Sequence, residues 1–273
     1  MESNQEQIFR KGSKTFFYSS FLFPKTIKKD VSILYAFVRI ADDYVDAIPA
    51  DSKSFYDFKN KYYKSLAGEK SDSNIIEDFI SLQKKFNFEQ DWVDAFLSAM
   101  EGDLNPVICK TIKDTENYMY GSAEVVGLMM CRILSIDKEA YPYAQKLGQA
   151  FQYINFIRDV YEEEGLKRGY LPEDNVIKSG LGQLNKESAY KNKVSFEHFL
   201  RKEINYFYEL IKEAKKGFKF IPIRYRIPIM VATNLYIYTA KIIEKDPLIV
   251  YIKKVKPGKV RICYEALKVL IKI

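Results

Sequence analysis

Two acidic clusters, far apart in the chain, constrain the fold more than any other feature of the sequence. The first contains Asp42 and Asp46, and the second contains Asp159 and Glu163. In each pair the acidic residues are four positions apart, so they share one face of a helix. Apolar residues surround both pairs, and a buried carboxylate without a partner is costly. The clusters therefore predict two helices whose acidic faces meet a compensating positive charge.

Magnesium ions that hold a diphosphate would supply this charge, because Mg²⁺ prefers hard oxygen ligands and phosphate oxygens. We take Asp42, Asp46, Asp159 and Glu163 as candidate metal ligands and catalytic residues, with Mn²⁺ as an alternative ion. Asp43 lies about 100° around the helix from Asp42 and is a more distant candidate. The alternative interpretation is that both rows are solvated helix surfaces.

Polar residues extend both acidic rows at helical spacing. Tyr35 and Arg39 precede the first pair, and Gln152 and Asn155 precede the second. Arg158 and the two amides lie within or next to an apolar run, where polar groups need partners. We therefore expect the two rows to face each other across a cavity.

The remaining pattern predicts one all-α domain that covers residues 1–273. Apolar residues recur at spacings of three and four, and 47% of the chain is hydrophobic. The predicted helices include 28–47, 115–134, 142–164, 194–216 and 229–244, and residues 165–186 are predicted to form a loop. Gly121 and Gly127 indicate close helix packing within the predicted helix 115–134.

Composition excludes several function classes. The net charge is +7, but no nucleic-acid-binding motif occurs and the acidic clusters argue against nucleic acid as a partner. Three separated cysteines and the single His198 do not fit zinc or redox sites. No signal peptide or membrane span is predicted, so we expect a cytoplasmic protein, soluble or peripheral to a membrane. The oligomeric state cannot be read from the sequence.

Five segments together resemble the squalene/phytoene synthases, which join prenyl diphosphates head to head. The resemblance covers nearly the whole chain and is specific in combination. Thr15 replaces a serine of the family, Glu163 replaces an aspartate, and Glu124 stands where many relatives have glycine. The segments are 13–18, 34–46, 118–127, 147–159 with 168–172, and, most weakly, 234–236 with the basic tail.

The resemblance implies an isoprenoid-synthase-type helical bundle around a central cavity, with both acidic motifs at its mouth. It also implies that two allylic diphosphates condense through a cyclopropyl diphosphate that is ionised again. Arg39, Arg158 and Arg168 suit bidentate phosphate contacts, although Arg168 could instead be a solvated loop residue. The other candidate substrate-binding residues are Ser13, Lys14, Thr15, Phe16, Tyr35, Ala123, Val126, Gly127, Gln152, Asn155, Tyr170 and Tyr236.

Aromatic residues are the candidates for holding a carbocation, because aromatic faces attract cations. We select Phe16, Tyr120, Phe151 and Tyr236, and we assign Tyr120 to the catalytic set. The alternative is that these are ordinary core aromatics.

The segment that begins at Tyr120 resembles phytoene synthases, which implies two C20 geranylgeranyl diphosphates as substrates. The alternative is a C30 enzyme that makes dehydrosqualene or squalene from farnesyl diphosphate, and squalene would require NADPH. A head-to-tail prenyl synthase or a terpene cyclase fits less well, because Arg158–Asp159 and residues 168–172 favour the head-to-head family. A non-catalytic assembly protein is the alternative of another class.

The C-terminal region contains a dense basic stretch that predicts contact with an anionic membrane surface. It comprises Lys253, Lys254, Lys256, Lys259 and Arg261. A solvated helix face is the alternative.

Overall fold

Helices form nearly all the regular structure of residues 3–271, the part of the chain that this computed structural model describes. Within those residues, β pairing is limited to an isolated parallel bridge between Ile108 and Gly169. The predicted all-α fold is confirmed. The α-helices are α1 (Asn4–Gly12), α2 (Lys14–Ser20), α3 (Lys25–Val45), α4 (Ser52–Leu66), α5 (Asn74–Phe86), α6 (Gln90–Gly102), α7 (Ile112–Met119), α8 (Val125–Ile133), α9 (Tyr141–Arg158), α10 (Val160–Gly165), α11 (Glu173–Lys178), α12 (Lys186–Lys191), α13 (Lys193–Lys215), α14 (Ile223–Lys245) and α15 (Lys259–Ile271).

Helix α3 carries the first acidic motif, and its apolar stripe fixes which way that motif points. Val31, Leu34, Ala41 and Val45 are buried along one side, as expected for an amphipathic helix against a core. The helix begins after Pro24, a residue that suits a helix start because it lacks a backbone donor. Asp42 and Asp43 lie in the last turn of α3, and Asp46 is the residue that follows its end.

The central helix is interrupted by a π-helical segment, Tyr120–Glu124, between α7 and α8. The sequence predicts one continuous helix over 115–134, and the π turn was not foreseen. Such turns insert an extra residue, so residues before and after it no longer follow a single helical phase. This phase change decides which tyrosine of the segment faces the interior.

Three glycines bring helix backbones into close contact around this central segment. A Cβ at Gly121 would lie 2.6 Å from the Ala95 carbonyl oxygen on α6. A Cβ at Gly127 or Gly148 would lie 2.8 Å or 2.7 Å from a carbonyl oxygen of the facing helix. The predicted close packing at Gly121 and Gly127 is thus confirmed.

Helix α9 leads into the second acidic motif and ends at Arg158, the residue immediately before Asp159. The sequence predicts a helix over 142–164, whereas α9 ends at Arg158 and α10 starts at Val160. Asp159 adopts φ −102° and ψ 13° between the two helices. The two halves of the predicted acidic row therefore lie on two separate helices.

The C-terminal helices also differ from the predicted bounds. α13 agrees closely with the predicted 194–216, whereas α14 begins at Ile223 and contains Pro228 in its interior. The predicted loop over 165–186 contains the short helix α11.

Two large clusters of buried side chains form the core. One is built mainly from α1, α3–α6 and α8, and the other mainly from α9, α13 and α14. Phe16 of α2 packs against both clusters. The cavity described below lies between these two halves.

Glu124, the residue that departs from the family pattern, is buried on the side of the π segment that faces α9. Its carboxylate accepts hydrogen bonds from the side-chain amides of Gln145 (2.9 Å) and Gln149. Both donors lie on α9, so Glu124 ties the π segment to α9. Such a buried polar group is tolerated because its hydrogen bonds are made.

We expect Gly121→Ala to destabilise the protein by about 1–3 kcal/mol, because the new methyl group overpacks the contact with α6. Gly102→Ala, at the end of α6, is the control, since a Cβ there meets nothing within 4 Å. Urea denaturation of both variants measures the effect. Equal stabilities would contradict the close approach.

Candidate active site

An apolar cavity of about 310 Å³ lies between α2, α3, the π segment, α8, α9 and α14. Aliphatic and aromatic side chains form most of its wall, together with a few polar side chains such as Gln152 and Asn155. Within the described residues, its lining includes a set of the sequence-predicted substrate-binding residues: Phe16, Tyr35, Ala123, Val126, Gly127, Gln152 and Asn155.

Three aromatic rings from three helices meet at the cavity. The Phe151 ring stacks on Tyr236 with centroids 4.5 Å apart, and Phe16 lies 5.6 Å and 5.4 Å from them. Burial raises the pKa of Tyr236 to about 12, although the nearby Arg158 guanidinium and the Asn155 amide oppose the shift. The hydroxyl therefore stays protonated at neutral pH.

The first acidic motif is held by an arginine from its own helix. The Arg39 guanidinium donates to an Asp42 carboxylate oxygen at 2.7 Å and pairs with Asp43 at 2.5 Å. Desolvation and the neighbouring Asp46 charge raise the pKa of Asp42 to about 7. Asp43 is the more exposed of the two aspartates, as its helical direction predicts.

The second acidic motif carries its own arginine and a lysine from the C-terminal region. The Arg158 guanidinium contacts both Asp159 carboxylate oxygens, at 2.7 Å and 2.6 Å. Lys254 Nζ lies 3.2 Å from Asp159 and also pairs with Glu162. This lysine belongs to the predicted membrane-binding stretch, and the structure places it at the acidic motif instead.

Arg168 links the two motifs, because its buried guanidinium contacts the first motif and its backbone N–H donates to the Glu163 carbonyl of the second at 3.0 Å. The guanidinium donates to an Asp46 carboxylate oxygen (2.7 Å), the Val45 carbonyl (2.7 Å) and the Asp103 carbonyl (2.8 Å). Desolvation raises the pKa of Glu163 to about 8, although the nearby Arg168 charge opposes this shift. The alternative prediction of a solvated loop arginine is therefore wrong.

A buried carboxylate, Asp103, was not predicted from the sequence. It accepts hydrogen bonds from the Tyr170 hydroxyl (2.6 Å) and the Tyr118 hydroxyl (2.7 Å), and these two rings stack on each other. Burial raises the pKa of Asp103 despite these donors. Only the isolated aspartate before Asn105 and Pro106 marks this position in the sequence, and such residues usually form turns.

The structure does not place Tyr120 in the cavity, and this corrects its selection as a cation-facing residue. Its side chain is 41% exposed, whereas Tyr118 is the tyrosine that reaches the network beneath the acidic motifs. The reason is the π turn, which begins at Tyr120 and breaks the helical phase that would align Tyr120 with Ala123 and Gly127.

The N-terminal segment contributes mainly through Phe16. The Ser13 hydroxyl caps α2 by accepting the Phe16 backbone N–H at 3.2 Å. Lys14 is exposed, and the Thr15 carbonyl accepts a hydrogen bond from the Ser19 hydroxyl at 2.9 Å. Ser13, Lys14 and Thr15 therefore form the first turn of α2, next to the cavity residue Phe16.

The donor set fits magnesium held jointly with phosphate. Glu163 Oε2 and Asn155 Oδ1 are buried and have no hydrogen-bond partner. Within residues 3–271, no three carboxylate, histidine or cysteine side chains are grouped so that they could hold an ion by themselves. Asp42, Asp46 and Asp159 are paired with arginines instead, and Mg²⁺ commonly uses few carboxylates together with substrate phosphates.

Comparison with known proteins decides the family. The squalene/phytoene synthase family profile matches residues 9–261. The chain belongs to the squalene/phytoene synthase family. The family resemblance predicted from the five segments is therefore confirmed.

Individual relatives of this squalene/phytoene synthase family member share about a quarter to a third of its matched residues. Phytoene synthase of Rhodobacter capsulatus is 26% identical over 234 residues, which cover 84% of this chain and 69% of that enzyme. 15-cis-Phytoene synthase of Paracoccus sp. is 29% identical over 184 residues, 64% of this chain and 60% of that enzyme. 4,4'-Diapophytoene synthase of Staphylococcus haemolyticus is 28% identical over 162 residues, which cover 58% of this chain and 57% of that enzyme. The chain thus matches less than two thirds of the length of the latter two relatives.

A solved structure confirms the predicted isoprenoid-synthase-type bundle. The crystal structure of a dehydrosqualene synthase in complex with ligand superimposes with a TM-score of 0.89 at 22% identity. The match covers 98% of this chain and 94% of the other.

We expect the metal-free protein to lose stability as the pH rises from about 5 to about 8. The folded-state pKa values of Asp42 and Glu163 lie above their ordinary values of 3.8 and 4.5, so the folded state holds these protons more tightly than the unfolded chain. Glu163→Gln should reduce this loss of stability with rising pH, whereas Glu162→Gln should leave it unchanged. Urea denaturation with a chelator, repeated across this pH range, measures it. Stability that rises with pH would contradict the assignment.

We expect Tyr118→Phe to lower the free energy of unfolding by about 1–3 kcal/mol, because one Asp103 oxygen then loses its buried donor. Tyr120→Phe removes a half-exposed hydroxyl and should change stability by less than about 0.5 kcal/mol. Denaturation of the two variants side by side makes the comparison. A larger loss at Tyr120 would mean that the π turn is misplaced.

Proposed function

We propose that this protein condenses two prenyl diphosphates head to head, and that its preferred substrate is geranylgeranyl diphosphate. The product would be phytoene, formed through a cyclopropyl diphosphate with release of two diphosphates. The observation that carries this proposal is an apolar cavity next to two arginine-paired acidic motifs. That arrangement suits a long hydrocarbon chain with a charged leaving group.

The names of the relatives favour the C20 substrate without excluding a shorter one. The Rhodobacter and Paracoccus relatives are phytoene synthases, whereas the Staphylococcus relative is a 4,4'-diapophytoene synthase. The second candidate is therefore a C30 enzyme that uses farnesyl diphosphate. NADPH would enter only if that product were squalene.

The acidic motifs and their arginines, which lie next to the cavity, would bind and release diphosphate. Magnesium, or manganese in its place, would offset the charge that develops on the leaving diphosphate. Arg39 and Arg158 each pair with a carboxylate that would instead act as an ion ligand. Their guanidinium groups would then donate to phosphate oxygens. Arg168 is buried beneath the motifs, where it orients Asp46 and keeps the two motifs together.

The apolar part of the cavity would protect the carbocations. Once the first diphosphate leaves C1 of one chain, the double bond of the other chain attacks this carbon, and loss of a proton closes the cyclopropane ring. Loss of the second diphosphate, rearrangement and a final proton loss give the hydrocarbon. The rings of Phe16, Phe151 and Tyr236 provide cation-attracting faces at this place and exclude water.

The retained ionisable groups disfavour a non-catalytic assembly role. All four candidate ligands and the three arginines are present. Each arginine pairs with one of the aspartates, and the Arg168 and Asp46 charges act on Glu163. The cysteines are unpaired, and Cys109 and Cys131 are buried, which supports the cytoplasmic location. No helix of residues 3–271 is both long and apolar enough to cross a bilayer.

Incubation with farnesyl or geranylgeranyl diphosphate and Mg²⁺, followed by mass spectrometry of the extracted hydrocarbon, tests the function. We expect a C40 product with the higher kcat/KM. Asp42→Asn and Asp159→Asn should each lower turnover at least about a hundredfold, because an ion ligand is lost. Asp43→Asn is the matched control and should have a milder effect.

Each alternative has its own outcome in this experiment. A C30 product from farnesyl diphosphate alone would replace the C20 assignment. Absence of any hydrocarbon would favour the assembly role. Normal rates in soluble Asp42→Asn protein would refute the metal-ligand assignment while leaving the reaction in place.

A further inference from the structure

The last helix described, α15, has an apolar stripe on its outer side. Val260, Tyr264, Leu267 and Ile271 follow spacings of four, three and four, so they share one face. All four are exposed, Val260 to 85% and Leu267 to 60%. The opposite side of α15 is buried against α14, through Ile262 and other residues. The helix is therefore apolar on both sides, and its outer stripe is left uncovered by residues 3–271.

Cations flank this stripe, and the acidic residue of α15 points away from it. By helical phase, Lys259 lies on one side of the stripe, and Lys268 and Arg261 lie on the other. Arg261 lies 5.1 Å and Lys268 6.0 Å from the Tyr264 ring centroid. Glu265 is only 2% exposed and accepts a hydrogen bond from Arg261. The outer half of α15 thus combines apolar area with the positive charges of Lys259 and Lys268, since Arg261 is paired with Glu265.

We propose that the outer face of α15 docks onto the surface of an anionic lipid bilayer. An apolar helix stripe with flanking basic residues fits the boundary between acyl chains and acidic headgroups. A second copy of the chain fits less well, because a symmetric contact through this stripe would bring the lysines of both copies together. The net charge of +7 supports the same choice.

This surface differs from the basic stretch that the sequence indicates. Lys254 is paired with Asp159 and Glu162, and Arg261 with Glu265, so neither charge is free to bind lipid headgroups without losing its carboxylate partner. Lys253, Lys256 and Lys259 remain exposed. The apolar anchor was not evident from the sequence, because it required knowing which side of α15 is buried.

The docking face lies one layer of helices from the cavity. On α2, Tyr18 packs toward the α15 cluster while Ser19 lines the cavity. On α14, Val231 belongs to the α15 cluster while Ala232 lines the cavity. Helices α2 and α14 therefore lie between the cavity and the docked surface. Because this is a single layer of helices, a hydrocarbon would have a short path into lipid. Only this last consequence rests on the proposed function.

Co-sedimentation with vesicles tests the docking. One set contains phosphatidylglycerol and phosphatidylcholine in equal parts, and the other contains phosphatidylcholine alone. We expect binding to the anionic vesicles that weakens with salt. Val260→Glu should lower the partition coefficient about tenfold, because it places a charge in the stripe. Replacing Lys268 by Gln should lower it about fivefold.

Val194→Glu is the matched control, since Val194 is also the second residue of its helix and is 84% exposed. It should bind as the unaltered protein does. Equal binding of the two Val→Glu variants, or no dependence on lipid charge, would overturn the proposal. So would a lipid-independent change of oligomeric state in Val260→Glu, measured by analytical ultracentrifugation. Turnover in detergent micelles should be unchanged in both variants, which separates docking from catalysis.

Discussion

The buried guanidinium of Arg168 is the interaction on which the site depends. It joins the end of α3, the segment after α6 and the segment after α10, three parts of the chain that share no local contact. Removing one partner of such a buried charge is far more costly than losing a surface ion pair. Because Asp46 is one of its acceptors, the position of the first acidic motif is set from outside its own helix.

The segment that carries Arg168 is itself anchored by backbone and side-chain contacts. The Gly169 backbone N–H donates to the Val107 carbonyl at 2.7 Å, and the Gly169 carbonyl accepts from the Cys109 N–H at 2.8 Å. Tyr170, the next residue, donates to Asp103 beside the Tyr118 ring. The loop between α10 and α11 therefore behaves as a structural part of the site, although its composition suggests an exposed connection.

Local periodicity accounts for what the sequence could predict. The acidic motif of α3 follows from residues within a few turns of each other, and its predicted direction agrees with the lower exposure of Asp42 than of Asp43. Asp103 could not be found this way, since its donors come from distant segments. The π turn at Tyr120 and the helix break at Asp159 could not be predicted for a related reason. Tertiary packing overrides a regular helical repeat at both places. The extent of a single domain stays a prediction.

The close backbone contacts at the glycines limit how the cavity can be reshaped. On the wall formed by the π segment, α8 and α9, Gly127 and Gly148 already lie against carbonyl oxygens, and Ala123 has only a methyl group to lose. Truncating these small residues cannot create more room, and enlarging Gly127 or Gly148 would push the helices apart. A larger cavity must therefore come from bulkier lining residues, such as Phe23 and Leu34, which can still be made smaller.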